Sequence, residues 1–261
     1  MEILALIVIG AIAGTLSGLL GIGGGAIIVP VLAVVFERQG VASGALMQSA
    51  IGTSLATILF TAVSSTRAHQ KRGSISWPVF WQLTPGLVIG ALVGASIAHF
   101  LPSKVLKLLF GIFLLVIAVQ MAWPIVPTRT RALPRRRWII GAGGVVGVIS
   151  SLFGIGGATI TVPFLTFCGL PPVAVVGTAA AVGLPVALFG TVGYIVAGST
   201  ATDLPAFSLG YVVLPAFGGI VVASMLFAPL GARLAHKLRP TTLRRLFAVL
   251  LLVFGSRLLF G

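Results

Sequence analysis

The sequence predicts an all-α polytopic membrane protein made of two inverted repeats, each of about five helical segments and each with one short or broken helix after a Gly-Ile-Gly-Gly motif. Three observations carry that expectation. Of the 261 residues, 58% are apolar and 8% are charged, against roughly 25% charged in a soluble chain, which leaves too little polar surface for a water-facing fold. Uncharged stretches of bilayer-crossing length recur along the chain between clusters of arginine, lysine, proline or glycine. A glycine-rich string also occurs twice, once in each half.

Ten apolar stretches are legible. Five precede a Pro- and Arg-rich linker at 124–137: Ile3 to Leu20, Ala26 to Phe36, Gly44 to Ser64, Trp77 to Leu101 and Val105 to Trp123. Five come after it: Trp138 to Phe153, Thr159 to Leu170, Val175 to Ala197, Leu209 to Leu230 and Leu243 to Leu259. The chain thus divides into a first membrane repeat at 1–123, a cytoplasmic linker at 124–137 and a second repeat at 138–261. The second stretch of each half is too short to span a hydrocarbon core of about 30 Å and reads as a half-helix.

The repeat covers nearly the whole chain. Ser17 to Pro30, SGLLGIGGGAIIVP, aligns with Ser150 to Pro163, SSLFGIGGATITVP, at nine of fourteen positions. Gly52-Thr53 matches Gly177-Thr178, while Gly94, Ala98, His99, Leu106 and Phe110 match Gly231, Ala235, His236, Leu243 and Phe247. Charge decides how the halves face, because lysine and arginine near helix ends favour the cytoplasm. With the short segment running in and back out, thirteen cations fall on one side. They are Arg67, Lys71, Arg72, Arg129, Arg131, Arg135, Arg136, Arg137, Arg233, Lys237, Arg239, Arg244 and Arg245. Only Arg38, Lys104, Lys107 and Arg257, four in all, fall on the other. The alternative of four crossings per half, both inserted alike, splits them nine to eight and shows no bias. Inverted halves are therefore expected, with both termini extracytoplasmic and the linker inside. Such halves are common in secondary transporters, which hold their substrate near the bilayer midplane between the repeats.

Glycine permits unwound backbone, and unwound backbone survives at membrane depth only inside protein or beside an aqueous cavity. Each motif leads into a short helix whose free N–H groups and positive dipole end suit an anion. The bland alternative is that the glycines simply let helices pack closely, as small residues at fourfold spacing do. The expected substrate-binding residues are Ser17, Gly21, Gly23, Gly24, Gly25, Thr53 and Ser54 in the first half, and Ser150, Gly154, Gly156, Gly157 and Thr178 in the second. Thr159 and Thr161 add further hydroxyls, and His99 and His236 read as interfacial anchors.

Several function classes are disfavoured. The net charge of +14 comes in short clusters between apolar stretches, not as one basic face for nucleic acid. The motifs do not continue as a phosphate-binding loop, since Ala26 and Thr159 stand where a dinucleotide fingerprint needs glycine. Carboxylate pairs and Cys/His clusters are lacking, so neither an enzyme nor a cofactor is expected. Glu2, Glu37 and Asp203 lie outside the long apolar segments, which disfavours a proton- or sodium-coupled carboxylate path. The partners are then the lipid bilayer and a small anion, and the composition is compatible with a homo-oligomer. A transporter or channel for another solute or a metal ion, and a non-transporting scaffold subunit, are the alternatives.

With its doubled S-G/S-L-L/F-G-I-G-G-x-x-I-x-V-P string, its Gly52-Thr53-Ser54 before a basic loop ending at Gly73, and its Gly177-Thr178, the chain resembles the TauE/SafE family of sulfite exporters over its whole length. The resemblance implies a multi-pass permease of the bacterial inner membrane that moves small sulfur-containing anions such as sulfite, sulfoacetate or related organosulfonates. Ala179 stands where the first half has Ser54, so the two half-sites are unequal.

The charge distribution generates a topology prediction. In a chain with Cys168 replaced by Ser, Asp203→Cys and Arg136→Cys are expected to react with a membrane-impermeant thiol reagent from opposite sides of sealed vesicles. Labelling of both from one side sinks the inverted arrangement.

Overall fold

A computed structural model of the chain describes residues 24–122, 133–201, 204–235 and 240–260. The expected first segment, Ile3 to Leu20, and most of the linker lie outside them. Nine helices occur among the described residues. The first half contributes α1 (Gly25–Arg38), α2 (Leu46–Lys71), α3 (Trp77–Phe100) and α4 (Ser103–Ala122). The second contributes α5 (Arg136–Leu152), α6 (Ala158–Phe167), α7 (Pro172–Gly198), α8 (Leu214–Ala235) and α9 (Pro240–Phe260). The architecture is all-α apart from a two-residue hairpin, Ser208–Leu209 against Val212–Val213. Four helices, α2, α3, α4 and α7, are long and apolar enough to cross a membrane.

The short segments are short helices. At 14 and 10 residues, α1 and α6 rise about 21 Å and 15 Å at 1.5 Å per residue, so each covers part of a bilayer. Two boundaries differ from the sequence expectation. The linker's last two arginines, Arg136 and Arg137, already belong to α5, whose first turn is closed by the Arg135 carbonyl. The stretch from Leu209 does not begin as a helix. Gly210, at φ 54°, turns the hairpin, and α8 starts only at Leu214 with Pro215 in its first turn, where a missing N–H costs nothing.

Close glycine contacts set the helix pairing. On α3, Gly86, Gly90 and Gly94 lie against Gly144 and Val148 of α5, while Gly143 and Gly147 of α5 lie against Leu83 and Leu87. A Cβ on Gly86, Gly90 or Gly143 would overlap a backbone carbonyl of the facing helix. These contacts run in register, so α3 and α5 are parallel. The fourfold spacing of small residues supplies the close approach, because lipid offers no hydrophobic drive between helices. In contrast, α2 and α7 are antiparallel: a Cβ on Gly190 would stand 3.0 Å from Leu55, and one on Gly183 3.5 Å from Ala62. The same holds for α4 and α9, where Gly111 faces Leu259 and Gly255 faces Leu115. Both antiparallel pairs join helices that the sequence repeat equates.

The core is apolar and continuous, running from Ile27, Ile28 and Leu32 of α1 through Met47, Ile51 and Leu55 of α2 to Val182, Val186 and Tyr194 of α7. Outward faces are apolar as well: Ile89 is 63% exposed, Val145 58% and Val222 62%. On a soluble protein such continuous exposure would be a liability; in a bilayer it is the lipid contact.

The glycine packing predicts unequal tolerance along α5 and α3. Gly90→Ala is expected to destabilise the fold by about 1–3 kcal/mol through overpacking, whereas Gly141→Ala, with open space around it, is expected to change little. Thermal unfolding in detergent compares the two, and equal midpoints for both variants would contradict the packing assignment.

Candidate functional site at the crossed glycine elbows

Each short helix starts from a glycine whose backbone no other residue adopts easily. Gly24, the N-cap of α1, has φ 71° and ψ −14°; Gly157, the N-cap of α6, has φ 75° and ψ −26°. These left-handed values turn the chain sharply into the helix. The Gly24 carbonyl then accepts from Ile27 and Ile28, and the Gly157 carbonyl from Ile160 and Thr161. Neither N-cap provides a side-chain acceptor. First-turn amides have no intrahelical acceptor, and among the described residues no carbonyl accepts from Gly25, Ala26, Ala158 or Thr159.

The two elbows touch at mid-depth. A Cβ on Gly25 would overlap the Gly154 carbonyl oxygen and stand 2.9 Å from both the Ile155 Cα and the Ile58 Cδ1. Ile58, which Gly25 approaches, is near the centre of α2, and Gly156 presents its carbonyl to Gly183 near the centre of α7. From this meeting point α1 leads towards the start of α2, and α6 towards the start of α7. Since α2 and α7 are antiparallel, those two starts lie at opposite ends of the bundle. The short helices thus run outward in opposite directions with their positive ends together.

Hydrogen bonds hold the second elbow. Ser54 Oγ donates to the Gly154 carbonyl at 2.9 Å. The amides of Gly154 and Ile155 donate to the carbonyls of Ser151 and Ser150, and Tyr194 OH donates to the Ser151 carbonyl at 3.2 Å. Ser150 Oγ remains without a partner although the residue is fully buried, and it lies 3.6 Å from the point where a Gly157 Cβ would be. Thr161 Oγ1, on the first turn of α6 and 1% exposed, is also unpartnered. Buried hydroxyls normally find partners, so each unsatisfied one calls for an explanation.

Of the residues expected from the sequence, Gly24, Gly25, Ser54, Ser150, Gly154, Gly156 and Gly157 belong to this junction. Ser17, Gly21 and Gly23 lie outside the described residues. Thr53 and Thr178 have hydroxyls engaged elsewhere. Thr53 Oγ1 accepts the Val213 N–H at 3.0 Å, just before α8, and Thr178 Oγ1 accepts the Ser76 N–H at 2.9 Å, just before α3. The glycine ahead of each threonine admits the same loop, because a Cβ on Gly52 would stand 2.9 Å from the Tyr211 carbonyl and one on Gly177 would overlap the Ser74 carbonyl. Each Gly-Thr pair therefore clamps the entry of a helix in the other half, α8 for Gly52-Thr53 and α3 for Gly177-Thr178. His99 anchors the far end of α3, its Nδ1 being 3.0 Å from the Tyr211 hydroxyl. Tyr194, which supports the elbow from α7, carries no sequence signal beyond being one of two tyrosines in the chain.

Half-helices meeting at buried N-termini, within a bundle of apolar crossing helices, define a polytopic membrane protein of transporter type. Comparison with known proteins gives the particular family: residues 6–258 match the family model described as "Sulfite exporter TauE/SafE", and the chain belongs to this family of membrane transporters. It is 35% identical over 253 residues to a "Probable membrane transporter protein" of Haemophilus influenzae, covering 96% of each chain. A "Probable membrane transporter protein" of Methanocaldococcus jannaschii is 32% identical, with 96% of this chain and 92% of the relative covered. The "Probable membrane transporter protein YunE" of Bacillus subtilis is 28% identical, with 100% and 98% covered. No solved structure matches the chain.

The clamps predict a matched pair of effects. Thr53→Val and Thr178→Val each leave a buried N–H unsatisfied and are expected to cost about 1–3 kcal/mol, with similar losses in thermal midpoint. Thr57→Val, whose hydroxyl bonds only to the Ser54 carbonyl of its own helix, is the comparison; a loss there as large as in the clamp variants would show the clamps to be unimportant.

Proposed function

We propose that this chain is a permease that moves a small anion across the bacterial inner membrane, with export as the favoured direction, and that the anion is a sulfur oxyanion or organosulfonate of the sulfite kind. One observation carries the reading: the N-termini of α1 and α6 meet head to head at mid-depth with uncapped amides, beside a buried hydroxyl that has no partner. Two positive helix ends facing each other in a low-dielectric setting repel unless negative charge lies between them. Backbone amides and the hydroxyls of Ser150 and Thr161 are donors suited to oxyanion oxygens, and they bind without adding a fixed charge. Such a site releases its anion more readily than an arginine pair does.

The inverted-repeat arrangement belongs to the same reading and is supported by the antiparallel packing of the repeat counterparts α2 with α7 and α4 with α9. The cation bias supports a cytoplasmic linker with both termini outside. An anion leaving a cell that is negative inside gains about 2.3 kcal/mol per 100 mV, so export can proceed without a carboxylate-bound coupling ion. The family description and the printed names of the relatives agree with transport; the choice of a sulfur anion rests on the family description alone.

Proteoliposomes containing the purified chain test this. Sulfite or sulfoacetate efflux is expected to exceed acetate efflux, and Ser150→Ala is expected to slow it about tenfold, the loss of one hydrogen bond to a charged group being about 1.5–3 kcal/mol. Gly157→Leu, which both strains the left-handed turn and fills the space before Ser150, is expected to abolish flux. Undiminished sulfur-anion flux in both variants would falsify the elbow as the binding site.

A further inference from the structure

The end of the bundle where α2 finishes and α3 and α5 begin carries a feature that anion transport does not use. Arg67, Lys71 and Arg72 close α2, Arg135, Arg136 and Arg137 open α5, and all six are exposed. The parallel glycine packing of α3 and α5 brings their starts to the same end, and Gln70 Oε1 ties the end of α2 there by accepting from Trp77 Nε1 at 2.8 Å. Three indoles gather at this level. Trp77 and Trp81 have ring centroids 6.3 Å apart, and the Arg137 guanidinium lies 5.9 Å from the centre of the Trp138 ring. Trp81 and Trp138 are 63% and 64% exposed. The whole chain has three carboxylates: Glu2, Glu37 and Asp203. Glu37 is in the last turn of α1, at the opposite end of the bundle, so among the described residues no carboxylate shares this end.

We propose that this basic patch, formed by the end of α2 and the start of α5, binds the phosphate of an anionic phospholipid, with the indoles marking headgroup depth. Six cations with no carboxylate beside them among the described residues, next to amphipathic aromatic rings, match a lipid surface in both chemistry and level. Clusters of four to eight basic residues next to a crossing helix attract anionic headgroups, and indole rings settle at headgroup level. This inference is independent of the transport reading.

Lipid selectivity is measurable by tryptophan quenching. In a Trp123→Phe chain reconstituted at physiological ionic strength, where surface charges act over about 8 Å, brominated phosphatidylglycerol is expected to quench with an apparent affinity at least about fivefold above that of brominated phosphatidylcholine, the effect of one basic residue at such a surface. R135Q/R136Q/R137Q should bring the ratio close to that of non-selective binding, while the corresponding triple Lys variant keeps it, which separates charge from misfolding. Equal quenching by the two lipids in the parent chain, or an undiminished ratio in the Gln variant, overturns the proposal. So does loss of the preference on adding inorganic phosphate but not chloride of equal ionic strength, which would assign the patch to a soluble anion.

Discussion

Unwound backbone inside a membrane protein must find partners within the protein, and this requirement organises the centre of the molecule. Around the second elbow, hydrogen-bond partners come from three separate elements. Ser54 on α2 takes the Gly154 carbonyl, Tyr194 on α7 takes the Ser151 carbonyl, and α5 accepts the elbow's own amides. The first-turn amides of α1 and α6 and the hydroxyls of Ser150 and Thr161 lie at or next to the elbows, where the two half-helices begin. Among the described residues, buried hydroxyls without a partner also occur away from the elbows, at Thr66, Thr191 and Ser208.

That arrangement depends on the repeats gripping each other. The Gly52-Thr53 and Gly177-Thr178 pairs have the same task in mirrored positions: glycine admits the other repeat's loop, and threonine accepts its amide two residues further on. The entries to α3 and α8 are each shaped with help from the other half. Further out, the glycine contact between α3 and α5 joins the first repeat to the first helix of the second. Cross-repeat contacts of this kind hold the elbows together while leaving α1 and α6 joined to opposite ends of the bundle.

Much of this is legible in the chain. The apolar segments and their order, the short length of the second segment in each half and the doubled glycine motif all come from composition and local chemistry. So does the membership of Gly24, Gly25, Ser54 and Gly157 in one junction. The roles of Thr53 and Thr178 are not legible. Their preservation in the repeat marks them as special without saying in which direction they point. Successive helix residues project about 100° apart, so Ser54 reaches the elbow while Thr53, one residue earlier, reaches the hairpin before α8. The hairpin itself reads as helix in the sequence, because Leu209 to Val213 is as apolar as the start of α8; the turn at Gly210 and the Thr53 acceptor are long-range facts.

Composition and periodicity determine that this chain lies in lipid, that its halves are related, and that its short helices start at glycine, because each of those properties is written in residues close together in sequence. Which donors stay unpaired, which threonines become clamps and which arginines share an end with which tryptophans were decided by packing. Such properties depend on groups brought together from distant parts of the chain, and their partners exist only once the helices have docked.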